Sequence, residues 1–196
     1  MNRNQVLPQV VLSSEPSALR KVDFCAPQTY QGKGFLPIEA LPRVAEEVSE
    51  IAKEDGFSWS LQSHFSHSPG SEPNPILDLD IAGKLHLICQ RCLKPFVAEL
   101  AESRQFLLLA SEAEADAYPI EDDELEPLVA SQHFNLLETI EDEILLSLPL
   151  IPKHPVGACQ AYLPLGDANE TELSITEKRE NPFNVLKNIK KRASPR

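Results

Sequence analysis

The chain has 196 residues, of which 42% are hydrophobic, and its formal net charge at pH 7 is −12. This hydrophobic content lies slightly below the globular average of about 45–50%, so part of the chain is expected to stay outside a single core. No stretch resembles the apolar core of a signal peptide or approaches the ~18 consecutive apolar residues of a membrane span. We therefore expect a cytoplasmic protein without membrane contact, in which paired cysteines bind metal or react more often than they form disulfides.

The charges are distributed unevenly along the chain. Residues 105–152 contain twelve acidic residues and no Lys or Arg, whereas residues 187–196 contain five basic residues and no acid. An acidic body repels a phosphate backbone, and a basic tail attracts one. The asymmetry therefore indicates that different parts of the chain meet different partners.

The first third of the chain contains one clear helical pattern. Residues 1–35 show little period and form an N-terminal segment whose order the sequence leaves open. Apolar residues then recur at helical spacing and predict an amphipathic helix over residues 38–53, with Pro42 in its first turn. We expect residues 36–160 to form a core domain, and residues 161–196 to form a flexible linker and a basic C-terminal arm.

Three strands are predicted in the middle of the chain, because apolar and polar side chains alternate there. They cover about residues 57–66, 76–89 and 96–110, and the second has the most regular alternation. Gly83 suggests a bulge within that second strand. The segment between the second and third strands is short, so it predicts a hairpin tip.

A second helix is predicted after an acidic loop. Residues 111–127 carry eight acids and two prolines in a pattern typical of a solvated loop. Apolar spacing then predicts a helix over residues 136–148, with Asn135 as N-cap and Glu138 completing a variant of the capping box. The expected fold is α+β: an antiparallel sheet with a Cys-x-x-Cys hairpin, covered by the two main helices, with acidic loops and a basic C-terminal arm.

The predicted hairpin tip carries a thiol pair with the spacing of a metal site. Cys89 and Cys92 form a Cys-x-x-Cys turn, which presents two sulfurs to one point and is the usual first half of a structural zinc site. His154 and Cys159 share a proline-bounded loop that follows the second helix and could fold back onto the hairpin. The sequence therefore predicts a zinc site built from these four residues, with two reduced thiols packed at a hairpin as the alternative.

Redox and hydrolytic activities are the other interpretations of these residues. A thioredoxin-type Cys-x-x-Cys opens a helix, whose N-terminus lowers the thiol pKa, whereas this pair follows one strand and precedes another. The five histidines lack His-x-x-x-His spacing, and the sequence contains no Gly-x-Ser-x-Gly motif or phosphate-binding glycine loop. We therefore expect a protein that is not an enzyme and has no small-molecule substrate.

The C-terminal arm offers a candidate contact with nucleic acid. Asn181-Pro182 resembles a helix start, and the short helix that follows would end in basic residues. Its candidate contacts are one ring for stacking and four cations for phosphates: Phe183, Lys187, Lys190, Lys191 and Arg192. The alternative is a frayed C-terminus without a ligand.

Several motifs occur together in a distinctive order. They are Cys89-Gln-Arg-Cys92-Leu-Lys-Pro-Phe96, Ala117-Tyr118-Pro-Ile, Asn135-Leu-Leu-Glu-Thr-Ile-Glu-Asp-Glu-Ile144 running into Leu148-Pro149-Leu-Ile-Pro152, the stretch from His154 to Cys159, and Asn181-Pro182-Phe183. In order and spacing these motifs resemble the YceD family, also called large ribosomal RNA subunit accumulation proteins. The resemblance covers about residues 76–192 well and the N-terminal third more loosely.

The resemblance implies a cytoplasmic, non-enzymatic factor needed for normal levels of 23S ribosomal RNA, through its synthesis, processing or stability. It implies a partner that is large-subunit rRNA or a pre-ribosomal particle, contacted directly or through a ribosomal protein. Many family members carry a second cysteine pair near the position of Cys159, where this chain offers Cys159 and His154. The alternative from another class is an acidic adaptor that binds a basic ribosomal protein or an RNA-processing enzyme.

Overall fold

The computed structural model describes residues 7–65, 75–119 and 125–159. Six strands form one sheet whose spatial order follows the chain. They are β1 (Gln9–Val11), β2 (Thr29–Pro37), β3 (Gly56–Phe65), β4 (Pro75–Ile88), β5 (Pro95–Leu109) and β6 (Glu126–Val129). The helices are α1 (Pro16–Leu19), α2 (Pro42–Glu47), α3 (Glu112–Asp116) and α4 (Leu136–Ser147), with a turn of 3-10 helix at Ile38–Ala40. The predicted C-terminal arm lies outside the described residues.

The sheet is mixed, which corrects the prediction of an antiparallel sheet. β2, β3, β4 and β5 pair antiparallel, as expected, but β1 pairs parallel with β2, and β6 pairs parallel with β5. Parallel neighbours need a crossover of about a dozen residues or more. The connections that contain α1 and α3 supply that length, so both edges of the sheet can run parallel to their neighbours. The α+β class itself is confirmed.

One face of the sheet forms the hydrophobic core. Alternate side chains of β3 and β4 point to this face and are buried, as the period of 2 predicts. They are Phe57, Trp59, Leu61, Leu77, Leu79, Ile81, Leu85 and Leu87. α4 packs onto this core and contacts β5 and α2. The opposite face is polar: the hydroxyls of Ser60 and Ser103 donate hydrogen bonds to Asp80 at 3.3 and 2.6 Å.

α4 has the cap that the sequence predicts. Asn135 Oδ1 accepts a hydrogen bond from the amide of Glu138, and Asn135 Nδ2 donates to the Glu138 carboxylate at 2.9 Å. A second contact joins α4 to the sheet: the Glu143 carboxylate accepts a hydrogen bond from Arg104 Nε of β5 at 3.0 Å. These contacts fix the first turn of α4 and attach the helix to β5.

The helix predicted over residues 38–53 is much shorter. It begins as one 3-10 turn and continues as α2, with Pro42 in its first turn as predicted, and it ends at Glu47. The amide of Ser49 donates instead to the carbonyl of His86 on β4, at 2.9 Å. Tertiary pairing with the sheet therefore overrides the helical period after residue 47.

The predicted bulge at Gly83 is wrong, because β4 pairs without interruption on both sides of it. A Cβ at Gly83 would lie 2.1 Å from the carbonyl oxygen of Gly56 and 2.7 Å from Cα of Phe57. Glycine is required there because the neighbouring strand approaches closely. In the predicted acidic loop, the structure contains α3 and the start of β6, so regular elements replace part of that loop. No helix among the described residues is long and apolar enough to cross a membrane.

Candidate metal centre

The hairpin between β4 and β5 closes as a tight turn around its two thiols. The amide of Cys89 donates to the carbonyl of Lys94 at 3.0 Å, and the amide of Leu93 donates to the carbonyl of Cys89 at 2.8 Å. Leu93 has a φ of +56°, and among the described residues it is the non-glycine residue with a positive φ. This conformation costs about 1–2 kcal/mol for an L-residue. Backbone strain of this kind often marks a functional site.

The loop after α4 folds back onto this hairpin, as the sequence predicts. The amide of Gln90 donates to the carbonyl of Pro152 at 2.9 Å, which joins the two segments through their backbones. The ring of Phe96, at the start of β5, lies 5.1 Å from the ring of His154, centroid to centroid. Gly157, with a φ of +89°, then turns the chain so that Cys159 returns to the hairpin.

The structure brings the four predicted ligands together. The sulfurs of Cys89, Cys92 and Cys159 and a ring nitrogen of His154 all lie within 4.8 Å of one another. Cys89 Sγ is 3.7 Å from Cys159 Sγ, and Cys92 Sγ is 3.5 Å from His154 Nδ1. Cys89 and Cys92 are buried, whereas the other two are partly exposed. Cys25 is exposed and free, and it does not belong to this cluster.

These distances fit a tetrahedral zinc centre. With Zn–S bonds of about 2.3 Å and a Zn–N bond of about 2.0–2.1 Å, two sulfurs lie about 3.8 Å apart, and a sulfur and a nitrogen lie about 3.5 Å apart. Two of the separations in the cluster, 3.7 and 3.5 Å, match these edges, and the four ligand atoms all lie within 4.8 Å of one another. A Cys₃His donor set is also typical of structural zinc. The residues present therefore fit zinc both in chemistry and in spacing.

The electrostatics of the cluster also favour a cation. Burial alone raises the pKa of Cys89, but hydrogen bonds from His154, Cys92 and Arg91 stabilise its thiolate and lower the pKa to about 5. Burial and the neighbouring Cys92 and Cys89 raise the pKa of Cys159 to about 11. One thiolate in the cluster thus opposes ionisation of another. The positive charge of a divalent cation would offset this repulsion, and such a cation binds the thiolate rather than the thiol.

The thiol pair does not lie at the start of a described helix, as a thioredoxin-type redox site would. Among the described residues, Cys89 and Cys92 lie between two strands, and none of the four helices begins there. All four cysteines are free thiols. Sequence reasoning found the ligands but missed the ring of Phe96 against His154 and the Gln90–Pro152 bond. The candidate RNA contacts Phe183, Lys187, Lys190, Lys191 and Arg192 lie outside the described residues.

Comparisons with known proteins give a consistent result. A family model described as "Large ribosomal RNA subunit accumulation protein YceD" matches residues 77–190, a range that contains all four candidate ligands. A Haemophilus influenzae protein named Large ribosomal RNA subunit accumulation protein YceD is 26% identical over 165 residues, which cover 81% of this chain and 87% of that protein. No solved structure matches the chain significantly.

Proposed function

The chain belongs to the YceD family of large ribosomal RNA subunit accumulation proteins, and from this premise we propose that it is a cytoplasmic ribosome biogenesis factor that supports accumulation of 23S rRNA. The family match over residues 77–190 carries this proposal. The factor acts on large-subunit rRNA or on a precursor particle, and it supports synthesis, processing or stability of that RNA.

The role is non-enzymatic, and zinc has a structural part in it. Cys89, Cys92, His154 and Cys159 would hold the ion, whose coordination would then be complete with four protein ligands. Structural zinc sites are closed in this way, whereas catalytic sites keep a position open for water or substrate. When bound, zinc supplies a fixed link between the β4–β5 hairpin and the loop that follows α4. The geometry of the cluster supports this part of the proposal.

Depletion and complementation test the proposal directly. Cells depleted of the protein should show a lower ratio of 23S to 16S rRNA, and wild-type protein expressed in trans should restore it. Northern analysis of 23S precursors would show whether loss occurs before or after processing. An unchanged ratio of 23S to 16S rRNA in fully depleted cells would rule the function out.

The alternative function is an acidic protein-interaction adaptor. The net charge of −12 and the run of twelve acids over residues 105–152 favour a basic partner, such as a ribosomal protein or a processing enzyme. Affinity purification with and without nuclease separates this alternative from direct RNA contact. Protein partners that survive nuclease would support the adaptor, whereas partners lost with the RNA would support direct contact.

A further inference from the structure

Three basic residues lie close to ligands of the candidate metal centre in the sequence. Arg91 and Lys94 lie beside the ligand cysteines in the hairpin, and Lys153 precedes the ligand His154. All three side chains are exposed. The two segments that form the centre, residues 88–98 and 148–159, contain no Asp or Glu. This end of an acidic protein is therefore locally cationic.

These cations differ from several others in the described part of the chain. Arg43, Lys84 and Arg104 each form an ion pair with a carboxylate, at 2.6–3.0 Å for the closest contacts. Within residues 7–65, 75–119 and 125–159, the three cations beside the metal centre form none. A cation that has no internal partner keeps its charge available for an external anion. Other exposed cations, such as Arg20, Lys21 and Lys53, also form no ion pair with a described residue, so the position of these three beside the metal centre is what distinguishes them.

Exposed aliphatic side chains lie in the same two segments. The most exposed are Leu93 at the hairpin tip and Leu150, Ile151 and Val156 in the loop; Leu93 is 76% exposed and Leu150 is 94% exposed. The Gln90–Pro152 hydrogen bond holds the two segments together. Apolar side chains beside unpaired cations provide contacts for both the bases and the phosphates of a nucleic acid.

We propose that this surface, which we call the knuckle surface (Arg91, Leu93, Lys94, Leu150 and Lys153), is a binding site for unpaired RNA. Its three cations contact phosphates, and its aliphatic side chains contact unstacked bases. The metal centre positions both segments, so the cations keep a fixed spacing. This inference rests on the proposed function and assigns a contact surface to it.

The charge pattern favours RNA over the protein partners considered above. A basic ribosomal protein would be repelled by the knuckle surface and attracted to the acidic remainder of the chain. RNA is negatively charged and is affected in the opposite way. The acidic body repels its phosphates, so the cationic knuckle surface is the favoured point of approach. Unpaired RNA is favoured over a duplex, since its bases are free to meet the apolar side chains.

Charge reversal tests the surface in the full-length protein loaded with zinc. The variant Arg91→Glu/Lys94→Glu/Lys153→Glu and the wild type would be titrated against a fluorescein-labelled 12-nucleotide mixed-sequence RNA and against the same sequence as a duplex. Fluorescence anisotropy should show that the wild type binds the single strand. The affinity of the variant for this RNA should be lower by about tenfold or more. Loss of three phosphate contacts should also reduce the slope of log K against log[salt] by about 2.

A matched control removes the effect of net charge. Arg20, Lys21 and Lys53 are exposed and form no ion pair with a described residue, and their reversal to Glu changes the net charge by the same amount. This control should bind the single strand within about twofold of wild type. Equal weakening by both triple variants would overturn the knuckle surface, as would a wild type that does not bind the RNA. If the reversal variant loses its zinc or its fold, the Gln triple variant, which removes charge without adding acid, takes its place.

Failure of this inference can be distinguished from failure of the proposed function. If depletion lowers 23S rRNA but the charge-reversal variant restores it fully, the function stands and the knuckle surface is wrong. If depletion leaves 23S rRNA unchanged, the function fails whatever the anisotropy shows. A nuclease-resistant acidic protein that co-purifies with the wild type and not with the charge-reversal variant would show that the surface binds protein instead.

Discussion

Cys92 Sγ lies 3.5 Å from Nδ1 of His154, although 62 positions separate the two residues in the chain. The contact joins the β4–β5 hairpin to the loop after α4. Such a connection closes a long loop, and closing a long loop with a fixed link reduces the freedom of the unfolded chain. The candidate metal centre should therefore contribute to stability in addition to any role in binding.

The first prediction concerns metal content. Protein purified under reducing conditions without chelator should contain about one zinc per chain by elemental analysis, because four ligands meet with tetrahedral spacing. Cys92→Ser should lower this content strongly, and Cys25→Ser should leave it unchanged, since Cys25 is exposed and outside the cluster. Wild-type protein without near-stoichiometric metal would contradict the centre.

The second prediction concerns thermal stability. Cys92→Ser should lower the unfolding temperature by roughly 5–10 °C, which corresponds to about 2–3 kcal/mol for a chain of this size. A strong chelator should lower the unfolding temperature of the wild type by a similar amount and that of the variant very little. Calorimetry with and without chelator measures all four values. If Cys92→Ser unfolds at the wild-type temperature both with and without chelator, the candidate metal centre does not link the hairpin to the loop.

The ligands of this centre could be predicted from the sequence because their chemistry is specific. The Cys-x-x-Cys spacing identified Cys89 and Cys92, and the prolines after α4 indicated that the loop with His154 could return to them. The knuckle surface could not be predicted in this way. Arg91, Lys94 and Lys153 are ordinary surface residues in the sequence, and only the fold shows that they share one end and form no ion pair with any described residue.

The third prediction concerns a cap supplied from another helix. The first turn of α2 has no side-chain cap of its own, and Glu141 of α4 accepts hydrogen bonds there from the amides of Arg43 and Val44, at 2.6 and 3.3 Å. Glu141 is 5% exposed, so its loss leaves amides unpaired at a buried site. Glu141→Ala should cost about 2–3 kcal/mol in urea unfolding.

Asp142→Ala provides the control for this variant. Like Glu141, Asp142 forms an ion pair with the Arg43 guanidinium, at 2.6 Å. Asp142 is half exposed, and no hydrogen bond from a backbone amide to its side chain is found among the described residues. Its loss should cost less than about 1 kcal/mol, as is usual for an exposed ion pair. Equal costs for the two variants would show that Glu141 acts through its charge rather than as a cap.

The fourth prediction uses pH. Burial raises the pKa of Glu143, the charge of Glu126 raises it further, and Arg104 lowers it in part. Because the pKa in the folded state is above that of the unfolded chain, Glu143 stabilises the protein fully below about pH 4.3 and this stabilisation is lost as pH rises through the folded value. Glu143→Gln should therefore gain stability relative to wild type between pH 4 and pH 7.

Glu46→Gln provides a control for the exchange of Glu for Gln at an exposed position. Urea unfolding at each pH gives the difference in stability between each variant and wild type. A Glu143→Gln variant that loses stability relative to wild type as pH rises would show that the ion pair with Arg104 outweighs burial.

The predictability of the fold differs between strands for a physical reason. β3, β4 and β5 were predicted because their inward positions carry large apolar side chains. β2 was missed because two of its inward positions are glycines: a Cβ at Gly32 or Gly34 would lie 2.9 or 3.0 Å from the indole of Trp59. The large side chain of β3 thus fills the space above β2 and removes the alternation from its sequence. α2 was predicted too long because its apolar period continues past the residue where the chain pairs with β4.

The fifth prediction concerns the basic C-terminal arm. Deletion of residues 181–196 removes five basic residues and no acid. We expect it to weaken association of the protein with large-subunit precursor particles, most clearly at lower salt, because phosphate contacts contribute most to RNA affinity when salt is low. Sedimentation of tagged protein with these particles at two salt concentrations measures the effect, and 23S levels in complemented cells show its consequence. Replacing Lys187, Lys190, Lys191 and Arg192 with Gln keeps the length and should reproduce most of the loss. If the deletion changes neither association nor 23S levels, the arm is not an anchor, and the knuckle surface becomes the next candidate for the contact with the ribosomal precursor.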